Sequence, residues 1–305
     1  MNRQIKGILY PALAACIWGF AFVAQVEGAA FLGKFSYNAL RFGLGTISLV
    51  FVTMLFEREK VTKEDIKKLA VYSLIAGTVL FAASTLQQWG IDLSPNAGKA
   101  GFLTGLYIVL VPLWGVLRGR SVGVHVWCAV ALAAAGAFLL CVTDGFSSVT
   151  LSDLVLLLCA VCFTAHILVL DVFAKRVGAC KLSCGQFLVT ALLSAICLPL
   201  DPPLTWAAVQ GGALPVLYGG LLSVGVAYTL QVLSQKYADP TRASLLFACE
   251  SVFAAIGGAL LLDERMTVRA FFGCLLIFGG ILLSQLPLDG KRKKSEKSVD
   301  KEELQ

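Results

Sequence analysis

Glu250 carries the greatest chemical leverage in this sequence. It is the only acidic side chain well inside any of the long apolar runs, in LLFACESVFAAIGGALLL. An ionisable group in that setting is expensive, and such groups mark ion or substrate pathways. It sits about seven residues into its run, ~10 Å from the start at a helical rise of 1.5 Å per residue. A carboxyl group there serves as counter-charge to a substrate amine or as a site that takes up and releases a proton. The plainer alternative is a carboxyl group that fastens its helix to a neighbour. Further polar side chains interrupt the apolar runs, and Arg41, Gln87, His166 and Gln231 are candidates for the same chemistry. Arg41 lies within two turns of one end of its run, where snorkelling and packing compete with a place in a pathway. Gln87 and Gln231 must each find an amide partner, between helices or on a cavity wall. His166 is either a satisfied packing residue or a ligand.

Enzymatic chemistry finds little support. There is no HExxH, no pair of acids within one run, and the only histidines are His125 and His166. No catalytic residue, resident cofactor or metal is expected. Cys159 and Cys162 have C-x-x-C spacing but lie in one apolar run without a second pair, and they read as small packing residues. Cys180 and Cys184 fall in a loop assigned to the cytoplasm, where disulfides are rare.

The elements that must position these groups are membrane spans. Of 305 residues, 58% are hydrophobic and 14% charged, against about half and a quarter in soluble domains. Ten apolar runs occupy residues 7–25, 35–56, 69–87, 100–117, 122–142, 151–170, 182–200, 214–233, 243–262 and 268–286. A run of about 20 residues crosses a bilayer as a helix. The runs are continuous rather than alternating, which selects helices over a β-barrel. The expected fold is therefore an all-α polytopic membrane protein with ten transmembrane helices. The first run follows Arg3 and Lys6 like a secretory signal, but it is too long for one and is expected to stay as a helix. An inside set made of Arg3, Lys6, the 57–68 segment, Arg118, Arg120, Lys175, Arg176, Lys181, Lys236, Arg242 and the tail holds 20 of the 25 Lys and Arg residues. Both termini are accordingly expected in the cytoplasm. The net charge of +6 reports that topology, and no nucleic-acid partner is inferred. The 57–68 loop is expected to form a short solvated interfacial helix, Asp171 to be a solvated carboxylate, and the charged tail 287–305 to be disordered. Its basic cluster at 291–294 suits anionic headgroups.

The spans fall into two copies. Residues 97–140 align without a gap on residues 240–283. Lys99 meets Arg242, Leu103 meets Leu246, Val109 meets Val252, Gly115 meets Gly258 and Gly136 meets Gly279. The small-residue spacing Gly101/Gly105 recurs as Ser244/Ala248. Gly101, Gly105, Gly258 and Gly279 read as helix-packing positions. Where the first copy has Tyr107 the second has Glu250, and the Leu86-Gln87 pair is echoed by Leu230-Gln231. Pro112 predicts a kink in the fourth span, whereas Ala255 leaves the ninth straighter. The repeats are bounded at 7–142 and 151–286, with five spans each. An odd number inverts the second copy relative to the first, and inverted repeats build transporters with a solute site between the halves.

Five stretches, in order, carry a family resemblance: Trp18-Gly19-Phe20-Ala21-Phe22-Val23, Leu40-Arg41-Phe42, the segment from Ala100 to Tyr107, Tyr228-Thr229-Leu230-Gln231, and Glu250-Ser251-Val252-Phe253 followed by Asp263-Glu264-Arg265. The chain resembles a ten-helix member of the drug/metabolite transporter superfamily with two EamA-type domains. That resemblance implies a multi-pass protein of the inner or plasma membrane. Its first, third, fourth, sixth, eighth and ninth spans would line a cavity that Trp18 and Tyr228 share with Glu250 and Tyr107. It implies an exporter or importer of small metabolites, from a family that handles amino acids, amines, vitamins, nucleotide-related compounds and drugs, and names no cargo. With Glu250 as counter-charge to an amine, the expected function is a secondary transporter that exports an amino-acid- or amine-like metabolite by alternating access. Proton-coupled efflux of cationic drugs is the alternative, with an intramembrane enzyme or scaffold as the rival of another class. The expected partners are the small-molecule substrate and the lipid bilayer, and a homodimer is compatible with the sequence. Asp263 departs from the family, which usually has glycine there.

Overall fold

A computed structural model describes residues 3–56, 63–119, 122–141, 150–263 and 267–285. Fourteen α-helices follow in order: α1 Arg3–Ala29, α2 Lys34–Phe56, α3 Lys63–Leu93, α4 Ala97–Gly105, α5 Tyr107–Leu117, α6 Val124–Cys141, α7 Leu151–Phe173, α8 Ala179–Ile196, α9 Trp206–Gly211, α10 Ala213–Leu217, α11 Thr229–Ser234, α12 Pro240–Phe247, α13 Cys249–Leu261 and α14 Val268–Gln285. A 3-10 turn, Leu198–Leu200, precedes α9, and a π-helical stretch, Tyr218–Tyr228, joins α10 to α11. Among the described residues no strand occurs. Seven stretches of the described residues are long and apolar enough to cross a bilayer: Ile5–Ala29, Glu64–Leu93, Ala97–Leu117, Leu151–Phe173, Ala179–Ile196, Ala213–Ser234 and Pro240–Leu261.

Side chains are distributed for a lipid solvent. Leu154, Leu158, Leu192, Leu260 and Leu282 point outward, while Gln88, His166, Gln186, Gln231 and Ser244 are buried. With hydrocarbon outside, apolar side chains lose nothing by facing out, and polar groups gain by meeting one another inside. Helix starts are set locally. Asn96 accepts from the Lys99 N–H at 2.6 Å, Thr150 forms a capping box with Asp153, and Asp239 caps α12, whose first residue is Pro240. The N-terminus of α2 is capped from the other half of the chain: Asp201 Oδ2 accepts from Phe35 N and Ser36 N, each at 2.8 Å.

Helix pairing carries the duplication into three dimensions. The helix of the second apolar run of one half packs on that of the other (α2 on α8), as do those of the last runs (α6 on α14). The α3–α7 contact is mirrored by α1 on the π-helical stretch, and α4 on α7 is mirrored by α12 on α1. Exchanging the halves therefore returns each of these pairings.

Several expectations are corrected. The ninth span is no straighter than the fourth: a tightened turn at Leu106 (ψ −8) separates α4 from α5, and one at Ala248 (ψ −17) separates α12 from α13. The break lies six residues before Pro112, so proline alone does not set it. Gly279 is exposed on α14, and a Cβ there would meet nothing within 4 Å. The close approach is one residue on, where a Cβ at Gly280 would lie 2.6 Å from Ala129 O. A shift of one position on a helix turns a residue by about 100°, enough to move it from the α6 interface to lipid. Gly101 and Gly105 do pack, against Ala254 and Ser251, and Gly258 is buried in α13. Residues 63–68 are the first turns of α3 itself rather than a separate interfacial helix; residues 57–62 and the tail lie outside the described residues. Asp171 is buried and paired with Lys175. Cys159 packs fully buried in the core, and no group of metal-binding side chains occurs among the described residues.

Candidate functional site

The polar side chains singled out above meet, with one exception, in one internal cavity. Trp18, Phe22 and Gln25 share a face of α1 at helical spacing and form one wall. α2 contributes Arg41, α3 Gln87, α4 Thr104 and α5 Tyr107. From the second half come Phe163 and Ile167 on α7, Ser223 and Tyr228 on the π-helical stretch, Gln231 on α11, Phe247 on α12 and Glu250 on α13. Helices formed from the first, third, fourth, sixth, eighth and ninth apolar runs all reach the cavity, and that of the second joins them through Arg41. Its volume is about 30 Å³, room for about two waters.

At the junction of the halves, the Tyr107 hydroxyl donates to Glu250 Oε1 at 2.7 Å. Both residues follow the breaks directly: Tyr107 opens α5 and Glu250 is the second residue of α13. Broken helices bring free backbone groups and side chains to the middle of a bundle, as in transporter sites. The wall between them is tight because α1 approaches α13 at Gly19, where a Cβ would fall 2.2 Å from Phe253 Cβ and 2.8 Å from Glu250 O.

An aromatic cluster surrounds Tyr228. Trp18 meets it edge-on at 4.8 Å and Phe247 lies 5.5 Å from Trp18. Phe42 and Phe187 each lie 6.0 Å from the Tyr228 ring. Rings so arranged present π faces suited to a cationic group.

Each amide has a distinct setting. Gln87 Nε2 donates to Thr104 Oγ1 at 3.4 Å, so this side chain both ties α3 to α4 and lines the cavity. Gln231 is buried, with Oε1 unpartnered among the described residues. Arg41 does not snorkel. It is 1% exposed, its Nε donates to Asn38 Oδ1 at 2.9 Å, and its guanidinium lies over the rings of Tyr37 and Phe42 at 5.2 and 5.0 Å.

His166 is the exception. It is fully buried behind the wall, its Nε2 2.9 Å from Gln186 Oε1 and its ring 6.2 Å edge-on to Tyr228. Its place is that of a support for Tyr228, one layer from the cavity. Gln25, Thr104, Ser223, Phe22, Phe163, Ile167 and Phe247 line the cavity without having been singled out. An uncharged polar residue inside an apolar run was the available signal for the first three; the apolar four carry none.

Residues 5–142 and 150–286 each match the EamA-like transporter family. An uncharacterized transporter of Archaeoglobus fulgidus is 27% identical over 290 residues, covering 93% of this chain and 87% of that protein. A WAT1-related protein of Arabidopsis thaliana is 23% identical over 112 residues, 37% of this chain and 30% of the plant protein. A crystal structure at 21% identity superposes with a TM-score of 0.76 over 92% of this chain and 98% of its own, a likeness of fold.

Proposed function

Because the chain belongs to the EamA-like transporter family and is a multi-pass membrane transporter, we propose that it moves a small amino-acid- or amine-like metabolite by alternating access. The site is the cavity at the Tyr107–Glu250 junction. One observation carries this reading: a carboxyl group buried in the bilayer interior, hydrogen-bonded to the equivalent residue of the other half, on the wall of a cavity between the halves. Glu250 is the counter-charge to the substrate's amine, and the rings of Trp18, Tyr107 and Tyr228 frame it. In this account the chain has ten spans in a 5+5 inverted arrangement, both termini in the cytoplasm, and exports its cargo across the plasma membrane. The cavity as it stands holds only water-sized groups, so loading a metabolite requires the two halves to separate on one side.

The test is flux in proteoliposomes containing wild-type protein or Glu250→Gln at equal abundance. Abolished flux in the variant is the expected result, and undiminished flux contradicts the role of Glu250. A second reading, proton-coupled efflux of cationic drugs, is favoured by the aromatic cluster around Tyr228. It predicts drug efflux driven by an imposed proton gradient and lost in Glu250→Gln, whereas facilitated metabolite flux continues without such a gradient.

A further inference from the structure

Arg41 is the largest fully buried side chain among the described residues, and it makes no ion pair with any of them. Among the described residues no carboxylate lies within 4.0 Å of its guanidinium, and Nη2 has no hydrogen-bond partner. Its one hydrogen bond goes to the neutral Asn38 Oδ1, and its other neighbours are the faces of Tyr37 and Phe42. Guanidinium stays charged at any biological pH, and a buried charge without a counter-ion is strongly destabilising. The side chain nevertheless lines the cavity that holds Glu250. Trp18 Nε1, a second buried donor on that wall, is likewise unpartnered. Two donors, one of them a cation, thus face the cavity without a partner in reach among the described residues, while the one carboxyl group on its wall, Glu250, is engaged by Tyr107.

We propose that the missing anion is supplied by the cargo: Arg41 binds a carboxylate of the transported solute, which is therefore a zwitterion of the amino-acid type. The inference rests on the transport reading above and narrows it. Charge balance selects the class. A simple amine pairs with Glu250 and leaves Arg41 unmatched in a low-dielectric site; a simple carboxylic acid leaves Glu250 unmatched. A solute with one ammonium and one carboxylate matches both, and the planar guanidinium fork is the group best shaped to hold a carboxylate by two parallel hydrogen bonds.

The test compares metabolite pools inside and outside cells carrying empty vector, wild-type protein, Arg41→Gln or Arg41→Lys, at matched membrane abundance. The solutes redistributed by the wild type are expected to carry both an ammonium and a carboxylate. Arg41→Gln should lower that redistribution about tenfold or more, the loss expected for one charge-assisted contact, and Arg41→Lys should retain part of it. Redistribution of solutes without an anionic group, or undiminished redistribution by Arg41→Gln, overturns the inference and leaves the transport reading standing. No redistributed amine or amino-acid-like solute with the wild type overturns the transport reading, and the inference with it. Should Arg41→Gln fail to reach the membrane, the wild type decides alone: in proteoliposome counterflow, the solute's carboxamide and methyl ester should fail to compete, and equal competition overturns the inference.

Discussion

Tyr107 and Glu250 occupy equivalent positions in the two copies, 143 residues apart, and they hydrogen-bond to each other. A residue can touch its own counterpart only close to the axis relating the halves, so this contact marks the place where the duplication meets itself. The Tyr107→Phe variant keeps the ring and removes only the donor. It should fold with wild-type abundance, and flux should fall about tenfold, the effect of losing a hydrogen bond to a charged group; unchanged flux in proteoliposomes would show that Glu250 works without the phenol. The chemistry was legible because a polar side chain in an apolar run stands out: Glu250, Arg41, Gln87 and Gln231 all reach the cavity. His166 stood out equally and does not. From sequence, a polar group that supports the wall looks the same as one that forms it, because both need a partner in hydrocarbon. Phe163, Ile167 and Phe247 were illegible for the opposite reason, since an apolar residue facing the cavity is indistinguishable from one facing lipid.

At the scale of elements, the breaks at Leu106 and Ala248 matter more than the proline that drew attention. Pro112 lacks an N–H and weakens the turn before it, yet the ninth span breaks at nearly the same place without one. The shared cause is packing, because both breaks lie where α4 and α13 close on each other through Gly101, Gly105 and Ser251. Asp263 has φ +53 just past α13. That left-handed conformation is one glycine adopts freely and aspartate tolerates. The correction at Gly279 yields a paired prediction on adjacent residues. Gly280→Ala should destabilise the protein by about 1–3 kcal/mol through overpacking against α6, whereas Gly279→Ala should change stability by no more than ~0.5 kcal/mol. Thermal unfolding in detergent measures both, and equal effects would contradict the assigned interface.

For the molecule as a whole, hydropathy and the ungapped repeat were enough to read an all-helical membrane protein built from two copies. Which helices would touch was not legible, since apolar spans differ little in what they can pack against; the pairings α2–α8 and α6–α14 emerge only in three dimensions. The assembled halves leave the cavity between two ends of the bundle. Lys6 and Tyr10 of α1 meet Tyr237 at one end, and Asp201 meets the start of α2 at the other. Gln25 lies toward the Asp201 end and Gln231 toward the Tyr237 end. Alternating access between these ends is the central claim, and cysteine accessibility tests it most directly. Gln25→Cys and Gln231→Cys, each in a background with the native cysteines replaced, are reconstituted and labelled with a membrane-impermeant maleimide, with and without an amino-acid gradient. The account predicts that a gradient raising labelling at one position lowers it at the other. Labelling that rises at both together, or changes at neither, would contradict it.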